Sequence, residues 1–285
     1  MDINIDKGKV EIFVSSIKLE QLKFNSWDSE QFIQSNNRED IAQYFFIGNA
    51  INFCFWNNRY DKRFKYKSYI GSAAMWALLR DNLQYLDVGY LRCLDIRKEK
   101  ELYAMPMAEE REFALREVGK VLSELYDGKV INLCIACEWD SVRIVEKIVK
   151  DFPTWEDSCN QVEFHKRARL FIAMLHGRFS KNSPLTNINK IPSLADYQVP
   201  KVLEHYGILQ YSDKVKKIIE KQELIEHGSE IEFEIRYQTI KAVDIICKYL
   251  STGQVKICPL QLDYYLWNLS HSIHKPYHLT HTVAY

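Results

Sequence analysis

The chain has 285 residues with 38 basic and 38 acidic side chains, so its formal net charge is zero. At about 100–200 residues per domain, that length allows one or two domains and a sizeable core. Hydrophobic residues at 47% and charged residues at 27% exclude wholesale disorder, and the charge balance argues against electrostatic capture of long nucleic acid. Gly (10) and Pro (7) are scarce, which favours helices over a hairpin-rich β fold.

The start, Met1 to Asp6, is acidic and lacks the apolar run of a signal peptide. The cysteines (Cys54, Cys93, Cys134, Cys137, Cys159, Cys247 and Cys258) are an odd, scattered set, which points to reduced thiols and a cytoplasmic protein. Residues 41–58 are uncharged but carry Gln43, Asn49 and Asn52. A membrane span needs about 20 mostly apolar residues, so this stretch is expected to be a buried core helix and no membrane partner is expected. Arg59 to Lys67 interleaves basic and aromatic residues, a pattern that can hold phosphates and stack bases. The plainer expectation is a solvated loop.

Residues 109–126 are predicted to form an amphipathic helix. Val118, Val121, Leu122 and Leu125 keep the helical spacing, and Glu109, Glu110, Arg111 and Glu112 crowd its first turn. Cys134 and Cys137 have metal or redox spacing, but no second pair completes a zinc site. Residues 178–193 are rich in Ser, Asn and Pro and are expected to be a loop. Pro200 then starts a short helix that Gly207 stops, and Ser212 caps another through Val215, Ile218 and Ile219. The pair has no basic recognition face, so an αα-hairpin is expected rather than a DNA reader.

Residues 230–237 alternate apolar and charged side chains, which predicts a short strand, and the pattern turns helical from Ile240. The last helix is predicted from Pro259 to His271, with Leu262, Tyr265, Leu266 and Leu269 as its core stripe. His271, His274, His278 and His281 resemble a metal tract, but Pro276 breaks the spacing and surface or terminal histidines are expected. Neither usual Gly-rich nucleotide loop is present.

The last helix has a second face, where Asp263, Tyr264, Trp267 and Asn268 cluster beside the core stripe. One carboxylate, two aromatics and an amide can wall a pocket, although packing aromatics beside a surface carboxylate would look the same. A second carboxylate, Asp196, precedes the helix at Pro200, where capping would be its ordinary role.

Together these segments resemble the queuosine salvage protein family. The resemblance covers nearly the whole chain: Ile51 to Trp56, Met105-Pro106, Gly119-Lys120, Phe152-Pro153, Phe164-His165-Lys166-Arg167-Ala168, Ala195-Asp196-Tyr197, Tyr211-Ser212-Asp213, Glu234-Ile235-Arg236, Leu262 to Trp267, and Pro276-Tyr277-His278 with Tyr285. It implies a mainly α fold over residues 1–285, a single globular helical domain similar to helix–hairpin–helix DNA glycosylases, with at most a short β element. It also implies hydrolysis of queuosine 5′-monophosphate to queuine and ribose 5-phosphate, with no cofactor or metal. Asp263 matches the catalytic carboxylate of the family. Leu194, Asp196, Tyr264 and Asn268 match its base-contacting positions.

These residue types suit the chemistry. N-glycoside cleavage builds oxocarbenium character on the ribose, which an ionised Asp263 near C1′ can stabilise, attack or supply with oriented water. A guanine-like base presents two adjacent N–H donors that a carboxylate such as Asp196 can accept. A 7-deazapurine cannot be protonated at position 7, so hydrogen bonds around the base must spread its developing negative charge. Lys166 is the first candidate for the 5′-phosphate, with Arg167 and His278 behind it.

Three departures bear on the preferred base. Asn268 stands where the family usually has Asp, Leu194 where Phe is frequent, and no His precedes His165. The alternatives are the same chemistry on another 7-deazaguanine nucleotide, or a non-catalytic binder of modified bases or RNA.

Overall fold

The computed structural model describes residues 2–57, 59–253 and 255–285. Thirteen α-helices among these residues are joined by turns and short 3₁₀ segments: α1 (Lys7–Ser16), α2 (Arg38–Ala50), α3 (Ser72–Asp81), α4 (Val88–Arg92), α5 (Lys100–Tyr103), α6 (Ala108–Leu125), α7 (Val130–Ala136), α8 (Ser141–Asp151), α9 (Lys166–Phe179), α10 (Gln198–His205), α11 (Asp213–Glu220), α12 (Glu230–Leu250) and α13 (Pro259–Ser270). Strands are confined to three two-stranded antiparallel pairs: β1 (Ile3–Ile5) with β6 (Leu209–Tyr211), β2 (Lys65–Tyr66) with β3 (Tyr69–Ile70), and β4 (Ser158–Cys159) with β5 (Val162–Glu163). No described helix is long and apolar enough to cross a membrane.

Local chemistry explains where many helices start and stop. Glu109 and Glu110 lie at the positive end of α6, which buries Ala114, Leu115, Val118 and Leu122. Gly119 lets α4 approach closely, since a Cβ there would lie 2.7 Å from the Arg92 nitrogen. Ser212 Oγ accepts from the Val215 amide and starts α11 as expected. Gly207, at φ 72°, follows α10. Helix α10 begins two residues before Pro200, because Asp196 Oδ1 accepts from the amides of Gln198 (2.8 Å) and Val199 (3.2 Å).

Two expectations are corrected. Residues 230–237 are the first two turns of α12, not a strand. Ser229 caps that helix by accepting from the Glu232 amide, and Glu230 and Glu232 favour its positive end. The alternation misled because the charged residues are buried as well. Glu234 accepts from the Asp2 (2.7 Å) and Ile3 (3.0 Å) amides, while Arg236 pairs with Asp157 and Glu232. A helix buried around most of its circumference shows no clean 3.6-residue period.

The helix expected over residues 41–58 ends at Ala50, and Asn58 lies outside the described residues. Beyond the helix, two buried guanidinium groups take the carbonyls. Arg167 donates to Ala50 O, and Arg111 donates to Ile51 O, Phe53 O (2.5 Å) and Cys54 O (2.9 Å). Free carbonyls at a helix end need such partners when water is excluded.

The interior has two hydrophobic clusters. The larger joins α2, α3, α6, α7, α8 and α9, and the smaller joins α1, α10, α12 and the β1–β6 pair. Helix α13 lies on the seam, with Leu260 in the larger cluster and Leu262 and Leu266 in the smaller. The segment 191–197 also bridges, with Ile191, Leu194 and Tyr197 in the larger cluster and Val199 beyond it in the smaller.

Candidate active site

The seam collects most of the residues singled out above. Asp263, on the second turn of α13, is 4% exposed. Its Oδ2 accepts from the Leu194 amide at 2.7 Å. Burial, reinforced by the negative charge of Asp196, pushes its carboxyl well above the usual carboxylate range, against the Leu194 amide and the Lys166 ammonium, which favour the anion. Leu194 thus contributes its backbone N–H as well as its buried side chain.

The segment holding Leu194 and Asp196 is tied at every residue. The Leu194 amide binds Asp263, and Ala195 O accepts from Arg236 Nε at 3.3 Å. Asp196 Oδ1 caps α10, and Tyr197 Oη donates to Thr280 O at 2.9 Å. Because Oδ1 is occupied by two amides, Oδ2 is the oxygen of Asp196 left for a further donor. The capping role expected of Asp196 is thus present, and Oδ2 makes no hydrogen bond among the described residues.

Lys166 begins α9 and is buried. Its backbone amide donates to Asp157 Oδ2 at 3.1 Å, but its ammonium makes no hydrogen bond or ion pair among the described residues. Burial lowers its pKa, opposed by the charges of Asp196, Asp263 and Asp157. Asp157 also receives both terminal nitrogens of Arg236, at 2.7 and 2.6 Å. One buried ion pair therefore joins the start of α9 to the carbonyl of Ala195. Arg236 lies between the rings of Phe164 (4.0 Å) and Tyr285 (4.4 Å). Nothing in its sequence context marked this role, because the alternation of 230–237 suggested a solvated charge.

The other two phosphate candidates are corrected. Arg167 spends its terminal nitrogens on Ala50 O and Thr154 O, so it braces backbone. His278 is buried rather than at the surface, and burial drives its pKa down to about 4, leaving a neutral ring beside Tyr285 Oη. A neutral imidazole offers no charge to a phosphate.

Tyr264 follows Asp263 and is half-buried, nearly parallel to Trp267 with centroids 6.2 Å apart. Asn268 is exposed at the far end of this face. The face expected on α13 is therefore graded from buried Asp263 to solvated Asn268. The Arg59–Lys67 segment leads into the β2–β3 hairpin, and two of its five basic side chains have carboxylate partners among the described residues. Arg59 pairs with Asp61 at 2.9 Å and Lys67 with Asp81 at 2.5 Å. Cys134 and Cys137 are buried free thiols, and burial pushes the Cys134 thiol up to about 12.

Comparisons with known proteins place the chain in a family. A profile described as queuosine salvage protein matches residues 32–285. A Sphaerobacter thermophilus protein named queuosine 5′-phosphate N-glycosylase/hydrolase is 30% identical over 299 residues, covering 99% of this chain and 92% of its own. A Dictyostelium discoideum protein of the same name is 28% identical over 263 residues, covering 88% of this chain and 80% of its own. The Mus musculus protein of that name is 27% identical over 298 residues, with 92% and 88% covered. On the breadth of the profile and of these matches, the chain belongs to the queuosine salvage protein family.

Proposed function

We propose that this protein hydrolyses the N-glycosidic bond of queuosine 5′-monophosphate, releasing queuine and ribose 5-phosphate, with Asp263 as its catalytic carboxylate. The observation that carries the reading is the state of Asp263: buried, aimed by one backbone amide, and left without a cation in contact. An anion so poorly solvated interacts more strongly with positive charge developing at C1′ than a carboxylate in water would. The C1′–N9 bond breaks with its electron pair leaving on the base. Water then supplies hydroxide to C1′ and a proton to the base.

Asp196 Oδ2 accepts an N–H of the guanine-like face, while its capping bonds to α10 keep it fixed. Leu194 and Tyr264 wall the base, and Asn268 stands at the rim, where it reaches the substituent of the base. The unpaired ammonium of Lys166 receives the 5′-phosphate, the partner it lacks in the protein. A single nucleotide, rather than long nucleic acid, suits the zero net charge.

The test is incubation with queuosine 5′-monophosphate and detection of free queuine by mass spectrometry, with Asp263→Ala alongside. Queuine release that disappears in the variant supports the reading. Undiminished release from Asp263→Ala removes Asp263 from the chemistry. Faster turnover of another 7-deazaguanine nucleotide reassigns the substrate.

A further inference from the structure

Between the first 3₁₀ turn and α2 the chain crosses the molecule with no helix or strand from residue 22 to residue 37. The last turns of α9 fix this strap through three consecutive residues. Phe24 packs edge-on against His176, with centroids 4.5 Å apart. Asn25 O fills the space over Gly177, where a Cβ would come within 1.9 Å of it. Arg178 donates to Trp27 O (2.6 Å), Ile33 O (2.7 Å) and Ser35 O (3.2 Å).

At its turning point the strap holds Trp27 at φ 50°, a left-handed conformation uncommon for a bulky side chain. Such strain persists only where the surroundings enforce it, and three carbonyls on one guanidinium do so here. The result is to deliver the indole to the exposed side of Tyr264's helix. The two ring centroids are 5.9 Å apart at 55°, and Trp27 remains half-buried rather than sealed in the core. Its second neighbour is Phe32, edge-on at 5.7 Å.

Building on the N-glycosidase reading, we infer that Trp27 is a further substrate-binding residue, closing the base pocket with its indole beside Tyr264. Trp27, Tyr264 and Trp267 then form a continuous aromatic surface, and the strap brings a wall from the N-terminal part of the chain to a site otherwise built from residues after 165. A flat purine-like base has the π-face that such a surface stacks, and stacking tolerates variation in the substituent of the base.

The test compares Trp27→Ala and Trp27→Phe with the unsubstituted chain, in turnover of queuosine 5′-monophosphate and in quenching of tryptophan fluorescence by free queuine. Trp27→Ala is expected to raise KM about ten-fold with a smaller change in kcat, as loss of one stacked ring does. Trp27→Phe is expected to keep KM within about three-fold while losing part of the quench. Gly177→Ala, which keeps the indole but displaces the strap at Asn25 and crowds Trp27 Cδ1, is expected to raise KM in the same direction. Equal KM values for Trp27→Ala and the unsubstituted chain overturn the inference, as does equal impairment by Phe and Ala. Quenching that depends on Trp27, without turnover, breaks the N-glycosidase reading and leaves the wall in place. No quench by queuine in the unsubstituted chain overturns the wall itself.

Discussion

Arg111 and Lys166 are both buried cations, and the fold treats them oppositely. Arg111 is fully buried and donates to four carbonyls, at Pro106, Ile51, Phe53 and Cys54, with Phe53 and Phe55 against its faces. Burial lowers its pKa to about 9, still high enough to keep its charge at neutral pH. Lys166 is 7% exposed where Arg111 has no exposed surface, and its ammonium bonds to nothing among the described residues. Desolvating a charge is costly, so a cation that spends four of its five donors on backbone is holding the fold together. One that spends none keeps its donors for the 5′-phosphate proposed above. Asp263 belongs with Lys166: it has one amide where a carboxylate can accept several bonds.

This contrast can be broken by measurement. The largest effect is expected at Asp263→Asn, which should lower kcat by about a thousand-fold while leaving the chain folded. The same change should raise stability by about 1 kcal/mol at neutral pH, read as a higher Tm. The sign follows from linkage: the folded-state pKa of Asp263 is raised, so its stabilisation is complete below the unfolded value and falls as pH rises. An Asn cannot ionise and escapes that loss. A destabilised Asp263→Asn chain would place this carboxylate with Arg111 instead.

Arg111→Met is expected to cost at least about 3 kcal/mol in urea unfolding, since several buried carbonyls lose their donor. Unchanged stability would show that those carbonyls find other donors. Lys166→Met should leave the urea midpoint unchanged or raise it. It should also raise KM for the 5′-monophosphate about ten- to hundred-fold, the worth of one charge-assisted bond. The phosphate-free nucleoside should be indifferent to this change; an equal loss with both compounds would detach Lys166 from the phosphate. The smallest effect concerns pH. The acid limb of kcat/KM should rise with a midpoint above about 4, the ordinary carboxylate value, because burial holds Asp263 protonated to higher pH. A midpoint at about 4 would mean that Asp263 carries an ordinary carboxyl in the free enzyme.

How legible these features were in the sequence follows from the same physics. Helices α6, α11 and α13 could be read because each exposes one face and buries another, and Ser212 and Pro259 mark two of their starts. Asp263 and Asp196 could be singled out because α13 puts its carboxylate beside aromatics and Asp196 stands where a cap belongs. The strand error at 230–237 arose from charges that the core accepts. Arg236 finds Asp157 79 residues away, a partner no local pattern contains. The end of α2 was missed for a similar reason: the guanidinium groups that receive its carbonyls come from 60 residues (Arg111 to Ile51) and 117 residues (Arg167 to Ala50) along the chain. Trp27 lies in a segment with no periodicity at all. What joins distant segments was invisible; what a single helix displays was not.

The pairing of β1 with β6 has a consequence for biosynthesis. Ile3, Asn4 and Ile5 align with Tyr211, Gln210 and Leu209, so the two strands are roughly 200 residues apart in the chain. At about 5–20 residues per second, β1 leaves the ribosome about 10–40 s before its partner exists. Through that interval Ile3, which ends with no exposed surface, has nowhere native to go. The β6 strand follows α10, the helix that Asp196 caps, so the smaller cluster and the seam beside it are completed late in synthesis. A nascent chain of this protein therefore carries its sticky N-terminal strand as a passenger until the segment bearing Asp196 arrives.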